Sequence, residues 1–306
     1  MYQNHFSYIT NFEKLGKIFT CSKCGYIAGK PSKINKHTCI KETVNYLEKY
    51  STLWEKSRNT VVELNDYYEF DVDFKYDYIV TYDLEAIQLK TNIEAESGKL
   101  KFVTRHVPVS CSVASNIPGY EEAICIISEN PEKLSRNIFE YFDKLQKAAS
   151  YLMFDKYKEM LSHLNKKDGD KLENYICSLP IVGFNSCFYD AGLLNNNGLM
   201  HEIYKRDQKP FIIKDGNRYK VIKTKQFIFL DQMSYPAAGT SLSSFIKAYD
   251  AKESKGHFPY EWFDSYEKLN YKVQDLTRTD FYSSLKNSVI SQVDFNKLME
   301  HCKKIV

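Results

Sequence analysis

Three carboxylates in two short segments are the residues of this chain best suited to chemistry. Asp83 and Glu85 follow the apolar run 78–81, and Asp190 follows a second apolar run at 179–182. Asp83 and Glu85 are two apart on a predicted strand, so both point to one face of a sheet, and Asp190 would arrive from the start of a helix. Acids that converge in this way hold two divalent cations ~3.5–4 Å apart, one activating water and the other stabilising a leaving oxygen. The pattern predicts a Mg²⁺ or Mn²⁺ site for phosphoryl chemistry, although a chance Asp-x-Glu and a helix-capping Asp190 explain each segment taken singly.

The elements that must position these acids follow an alternating α/β pattern from residue 76 onward. Strand-like runs are predicted at 76–86, 100–114 and 122–128, before Asn185, and in a hairpin-like pair that ends at 227–231. Helices are predicted from Pro131, after Asp190 and over 241–249. The first helix carries an apolar stripe that predicts core packing, formed by Leu134, Ile138, Phe142 and Leu145. We therefore expect a zinc-finger-like segment at 1–42, a connector at 43–75 and an α/β domain at 76–306.

The residues around the acids resemble the exonuclease domain of family B DNA polymerases, in the protein-primed branch of viruses, linear organellar plasmids and mobile elements. Asp83-Leu84-Glu85 resembles the first exonuclease motif, and Asn185-x-x-x-Tyr189-Asp190 resembles the second. The resemblance implies a ribonuclease H-like α/β fold with a mixed sheet and 3′→5′ exonuclease activity. It also implies that Asp83, Glu85 and Asp190 bind the metal, while Asn185 and Tyr189 contact a single-stranded 3′ end.

Two further motifs follow in the order that the family has them, so that the resemblance covers about residues 76–302. The segment 240–245 is similar to a motif in which Ser241 and Leu242 would bind single-stranded DNA, but it also fits an ordinary capped helix start. The segment 255–260 resembles the lysine motif, in which Lys255 steadies developing phosphate charge and Tyr260 orients the attacking water. By itself that segment could equally be a surface turn before Pro259.

The chain also departs from the family pattern. Ala86 stands where the family commonly has a DNA-binding Thr, and the third exonuclease motif, Tyr-x-x-x-Asp, is expected beyond Val306. Tyr260 and Asp264 have the right spacing, but Tyr260 already belongs to the lysine motif, so we interpret Asp264 as a decoy. Polymerase motifs of the types Asp-Thr-Asp and Ser-Leu-Tyr-Pro are absent from the sequence. The resemblance therefore implies the N-terminal part of a DNA polymerase, with single-stranded DNA, primer-template DNA and a terminal priming protein as partners.

A cysteine cluster near the N-terminus indicates a second metal site. Cys21 and Cys24 are followed after twelve residues by His37 and Cys39, a set that resembles a small zinc finger. The second pair is closer in sequence than is usual for zinc fingers. Residues i and i+2 point to nearly opposite sides of a helix, so both could not bind one ion from the same helix. His37 would then end the helix and Cys39 would follow in a loop. A degenerate finger without zinc is the alternative.

Bulk properties narrow the function classes. The chain has 306 residues, eight Cys and 42 basic against 39 acidic residues, so net charge alone does not indicate a nucleic-acid binder. The cysteine pattern indicates a reducing, intracellular compartment, the N-terminus lacks a signal core, and no apolar run reaches the ~20 residues of a membrane span. The leading hypothesis is a metal-dependent nuclease. A catalytically inactive nucleic-acid-binding remnant and a related exoribonuclease are the alternatives.

Overall fold

The chain divides into two compact units, Met1–Phe74 and Lys75–Val306. The structure, a computed structural model, describes residues 19–21, 27–28, 30–36, 64, 76–94, 101–187, 189–216, 218–236, 240–249 and 256–305. In the first unit, the antiparallel strands β1 (Phe19–Thr20) and β2 (Ile27–Ala28) are followed by helix α1 (Pro31–Lys36). Cys21 is buried beside this hairpin. Cys24, His37 and Cys39 lie outside the described residues, so the zinc site remains a prediction.

The second unit is organised around a seven-stranded mixed sheet. Its strands are β3 (Val80–Glu94), β4 (Lys101–Ser115), β5 (Ile124–Ile127), β6 (Leu179–Gly183), β7 (Phe211–Asp215), β8 (Arg218–Lys223) and β9 (Phe227–Asp231). Their spatial order is β5-β4-β3-β6-β9-β8-β7. Strands β6 and β9 run parallel to β3, whereas β4, β5, β8 and β7 join by antiparallel pairing. The predicted α/β class with a mixed sheet is confirmed.

Seven helices are described in this unit. They are α2 (Pro131–Lys156), α3 (Lys158–His163), α4 (Lys166–Cys177), α5 (Asp190–Asn195), α6 (Leu199–Arg206), α7 (Leu242–Ala248) and α8 (Gln292–Ile305). Short 3₁₀ segments lie at Gln232–Ser234, Tyr266–Asn270, Val273–Asp275 and Arg278–Phe281. None of the helices in the described ranges is long and apolar enough to cross a membrane.

Helix α2 forms the core together with the sheet. Asn130 caps it by accepting a hydrogen bond from the Lys133 N–H at 2.8 Å, and Pro131 occupies the first turn, where a missing N–H costs nothing. The predicted stripe is confirmed, because Leu134, Ile138, Phe142 and Leu145 are all buried. The Phe142 ring packs edge-on against the rings of Tyr82 on β3 and Phe227 on β9. Burial of each such side chain contributes roughly 1.5–3 kcal/mol, so α2 fixes β3 and β9 relative to each other.

A buried ion-pair cluster joins α6 to α2. The Arg206 guanidinium donates to both carboxylate oxygens of Asp143 at 2.7–2.9 Å and to the Glu202 carboxylate at 2.6 Å. It also lies over the Phe139 ring, 5.0 Å from its centroid. Because the Glu202 side chain is 4% exposed, its charge depends on Arg206 for compensation.

Candidate functional site

Strand β3 presents Asp83 and Glu85 on the face opposite its core residues. Tyr82 and Leu84 are buried, whereas Asp83 is exposed and Glu85 is half-buried. The regular pairing with β4 breaks immediately after Glu85 by a β-bulge: Glu85 pairs with Ser110, but Ala86 pairs with Pro108. A bulge bends its strand and redirects the neighbouring side chains, and such bulges are common beside functional sites. The two acids therefore sit where β3 changes direction.

Asp190 reaches the same segment from the start of α5, after the loop that follows β6. Strand β6 ends at Gly183, whereas β3 continues to Glu94, so Leu84 lies beyond the end of β6. There the Leu84 backbone lowers the pKa of the Asp190 carboxyl group and the charge of Asp83 raises it, so Asp190 lies close to this segment of β3. The fold thus brings Asp190 close enough to Asp83 for their charges to interact, and the charges of Asp83, Glu85 and Asp190 all act on Tyr189.

The electrostatics of Asp190 reflect this position. Burial raises the pKa of its carboxyl group to about 7, and the negative charge of Asp83 adds to the rise. Asp190 is therefore only partly ionised at neutral pH, and a cation between the two carboxylates would favour its ionised form. Carboxylate oxygens are the hard ligands that suit Mg²⁺ and Mn²⁺. Within the described part of the chain, however, no three His, Cys, Asp or Glu side chains are grouped so that they could hold one ion. The metal site thus remains a prediction.

The loop after β6 is held close to the acids by backbone geometry. A Cβ on Gly183 would stand 2.3 Å from the Ser186 Cβ, so the loop can fold back on β6 because residue 183 is glycine. Asn185 has φ of 60°, in the left-handed region, which Asn tolerates better than most residues. Its N–H and the Cys187 N–H donate to the Asp231 carboxylate at 2.8 and 3.1 Å. The Asn185 backbone is therefore fixed by Asp231, whose charge also acts on Asp190, while the Asn185 side chain is exposed.

Asp231 is a buried acid near Asp190 that the sequence patterns did not single out. It ends β9, is 7% exposed and accepts a third hydrogen bond from the Met233 N–H at 2.9 Å. Its charge also contributes to the raised pKa of Asp190. The same signal that identified the other acids, an apolar strand that ends in a carboxylate, was present at 227–231.

Two partly exposed tyrosines, Tyr189 and Tyr260, lie near the carboxylates of Asp83, Glu85 and Asp190, which we call the acidic cluster. Burial and the charges of Asp190, Glu85 and Asp83 raise the pKa of Tyr189 to about 12. Burial, followed by the charges of Glu85 and Asp83, likewise raises the pKa of Tyr260 to about 12. Both hydroxyls therefore stay protonated at neutral pH and can donate hydrogen bonds. The structure thus brings the predicted residues Tyr189 and Tyr260 to the carboxylates, although they are 71 positions apart in the chain.

A small hydrophobic cluster anchors the segment that carries Tyr260. Phe263 is buried against Ile87 and Val109, just past the bulge, and its carbonyl accepts a hydrogen bond from the Gln88 N–H at 3.3 Å. The Asp264 carboxylate forms an ion pair with Lys268 at 2.7 Å, and its interpretation as a decoy stays a prediction. Lys255 lies outside the described residues, and its role stays a prediction.

Ser241 and Leu242 begin helix α7. The Ser241 hydroxyl accepts a hydrogen bond from the Ser244 N–H at 3.1 Å, so the capped helix start that the sequence allowed is present. Helix α7 also approaches the Asn185 loop, since the rings of Phe245 and Phe184 lie 5.7 Å apart. A groove of about 490 Å³ has Ser243, Tyr260 and Lys286 among its lining residues. Contact of Ser241 and Leu242 with DNA remains a prediction.

Comparison with known proteins adds no assignment: no protein-family model matches the chain, and no curated protein matches it significantly. The chemistry of the site must therefore be inferred from its own residues.

Proposed function

We propose that this chain carries the ribonuclease H-like 3′→5′ exonuclease domain of a protein-primed family B DNA polymerase and acts on single-stranded 3′ ends. The observation that carries the proposal is the effect of the Asp83 charge on the pKa of the buried Asp190 carboxyl group. It supports the proposal because the two acids lie close together although their motifs are more than a hundred residues apart, as the resemblance implies. The mixed sheet, with these acids on the inner strand β3 and beside the end of β6, supports the fold assignment.

The proposed mechanism assigns each side chain a role on a single strand. Divalent ions held by Asp83, Glu85 and Asp190 would supply an activated water and neutralise charge on the leaving oxygen. Tyr189 stacks on a base, because it is an exposed aromatic ring fixed beside the acids. Tyr260, whose hydroxyl stays protonated, donates a hydrogen bond to the attacking water. Lys255 stabilises the developing phosphate charge.

Binding of single-stranded DNA without hydrolysis is a second candidate function. It is favoured by the raised pKa of Asp190, which leaves this carboxyl group only partly ionised at neutral pH, and by the lack of a three-ligand group among the described residues. In that case the groove and Tyr189 would still bind DNA, but the acids would not collect metal.

A nuclease assay separates the two functions. Wild-type protein should shorten a single-stranded oligonucleotide in Mg²⁺ or Mn²⁺ but not in EDTA, and Asp83→Ala should abolish this activity. Tyr189→Ala should weaken binding to single strands far more than binding to duplex, because only unpaired bases expose their faces. Metal-independent binding with no cleavage by the wild type would identify the binding remnant, and equal losses on both substrates would count against the stacking role.

A further inference from the structure

A recess of about 360 Å³ opens beside Tyr189, between β4 and α5. Its polar lining comes from Arg105, His106, Tyr189, Asn196 and Asn197. Arg105, His106 and Asn196 are exposed. Arg105 forms no ion pair within the described ranges, so its charge is available to a ligand. A cation, an aromatic ring and amides around one recess match the parts of a nucleotide.

His106 fixes the aromatic wall of this recess. Its Nδ1 atom is 2.8 Å from the Tyr189 hydroxyl oxygen, and the two rings stand edge to face with centroids 6.0 Å apart. An exposed tyrosine can otherwise turn about its side-chain bonds. The hydrogen bond therefore pre-organises the ring and reduces the entropy lost when a base stacks on it.

The recess is placed to receive a strand that passes the carboxylates. His106 pairs with Gln88 on β3, three residues beyond Glu85. At a rise of about 3.3 Å per residue, this separation is about 10 Å along the strand. A DNA strand whose scissile phosphate lies at Asp83 and Glu85 can therefore place a nucleotide adjacent to that phosphate in the recess.

We propose that this recess is a second nucleotide subsite, in which Arg105 binds a phosphate of single-stranded DNA and His106 positions Tyr189 for stacking on the adjoining base. The inference rests on the proposed function for its substrate. It extends that function to Arg105 and His106, which lie outside the exonuclease motifs. Neither residue touches the reacting atoms, so both act on substrate binding and not on the chemical step.

The test compares short oligothymidylates of increasing length, with binding measured in EDTA and cleavage measured in Mg²⁺. Arg105→Ala should weaken binding of a hexanucleotide roughly fivefold to tenfold, as expected for a lost charge-assisted hydrogen bond. It should raise KM and leave kcat unchanged, and it should have little effect on a dinucleotide, whose single phosphate is the scissile one and which therefore offers no second phosphate to Arg105. Lys167→Ala, which removes an equal charge from the exposed surface of α4, should behave as the wild type.

The role of His106 is tested by a pair of substitutions. His106→Leu removes the hydrogen bond to Tyr189 and should weaken hexanucleotide binding by roughly threefold, whereas His106→Asn keeps a polar atom near the Nδ1 position and should restore it. Equal effects of Arg105→Ala on dinucleotide and hexanucleotide, or no effect on either, would overturn the subsite. Cleavage by the wild type with unaltered binding in Arg105→Ala would reject the subsite and keep the exonuclease. Binding without cleavage would reject the exonuclease and leave the subsite to be judged by the binding losses.

Discussion

Replacing Asp190 by Asn should stabilise the protein at alkaline pH. Asp190 is 3% exposed, and its pKa rises from 3.8 to about 7 in the folded protein, first through burial and then through the Asp83 charge. Each pKa unit corresponds to 1.36 kcal/mol, so ionised Asp190 costs at most roughly 4 kcal/mol of folding stability. Asn has nearly the same shape as Asp and never ionises, so Asp190→Asn avoids this cost.

The direction of the pH dependence follows from the raised pKa. A carboxyl group with a raised folded-state pKa contributes stability that is fully present below its unfolded pKa and is lost as the pH rises through about 7. Urea unfolding of wild type and Asp190→Asn should therefore diverge with rising pH. From pH 5 to pH 8 the variant should gain roughly 2 to 3 kcal/mol over the wild type.

Two controls assign the effect to the acidic cluster. Asp83→Asn removes the second cause of the shift, so it should make the pH dependence shallower without abolishing it. Adding Mg²⁺ at pH 8 should raise the stability of the wild type more than that of Asp190→Asn, because a ligand that binds only the folded state stabilises it. If the wild type and Asp190→Asn keep a constant stability difference from pH 5 to pH 8, Asp190 does not lie buried against Asp83 and the reasoning fails.

Three further substitutions test the framework of the site, each by urea unfolding. Arg206→Met should destabilise the folded protein by about 3–5 kcal/mol, because it leaves the buried Glu202 carboxylate uncompensated. Adding Glu202→Met should recover much of this loss, and a double variant that recovers none of it would refute the pairing. Gly183→Ala should lower the stability by about 1–3 kcal/mol, because its Cβ would clash with the Ser186 Cβ. Adding Ser186→Gly should relieve this clash, and additive stability losses in the double variant would refute the close approach of residues 183 and 186. Asp231→Ala should cost about 2 kcal/mol or more by leaving three backbone N–H groups without their acceptor, and wild-type stability would contradict this role.

Much of the fold could be predicted because its signals are local. The strand before Asn185, the helix from Pro131 and the helix after Asp190 follow from apolar runs, a capping Asn and turn residues, and all three are confirmed. Strand β3 differs from the prediction at both ends: it begins at Val80 and runs to Glu94. Tyr76, which was placed in the strand, instead stacks on Tyr175 with ring centroids 5.5 Å apart. Such a contact between distant parts of the chain has no signature in either local sequence.

The acids could be found from the sequence, but their surroundings could not. The exposed and buried positions of β3 follow from its alternation, whereas the bulge after Glu85 depends on pairing with β4. The hydrogen bond between His106 and Tyr189 joins residues 83 positions apart, and no local sequence pattern predicts such a contact. Strand β7 and helices α3 and α4 were not predicted, although Leu172, Tyr175 and Ile176 of α4 have the i, i+3, i+4 spacing of a buried helix face.

The identity of the first product released from a single strand tests the central claim most directly. A single-stranded oligonucleotide labelled on its 3′-terminal nucleotide is incubated with Mg²⁺ and an excess of protein, with Asp83→Ala as the blank. The account predicts that the label leaves first as a mononucleotide, without a lag, and that neither the blank nor a reaction in EDTA releases it. Labelled fragments longer than a mononucleotide at the earliest times, or equal release by wild type and Asp83→Ala, would contradict a 3′→5′ exonuclease at this site.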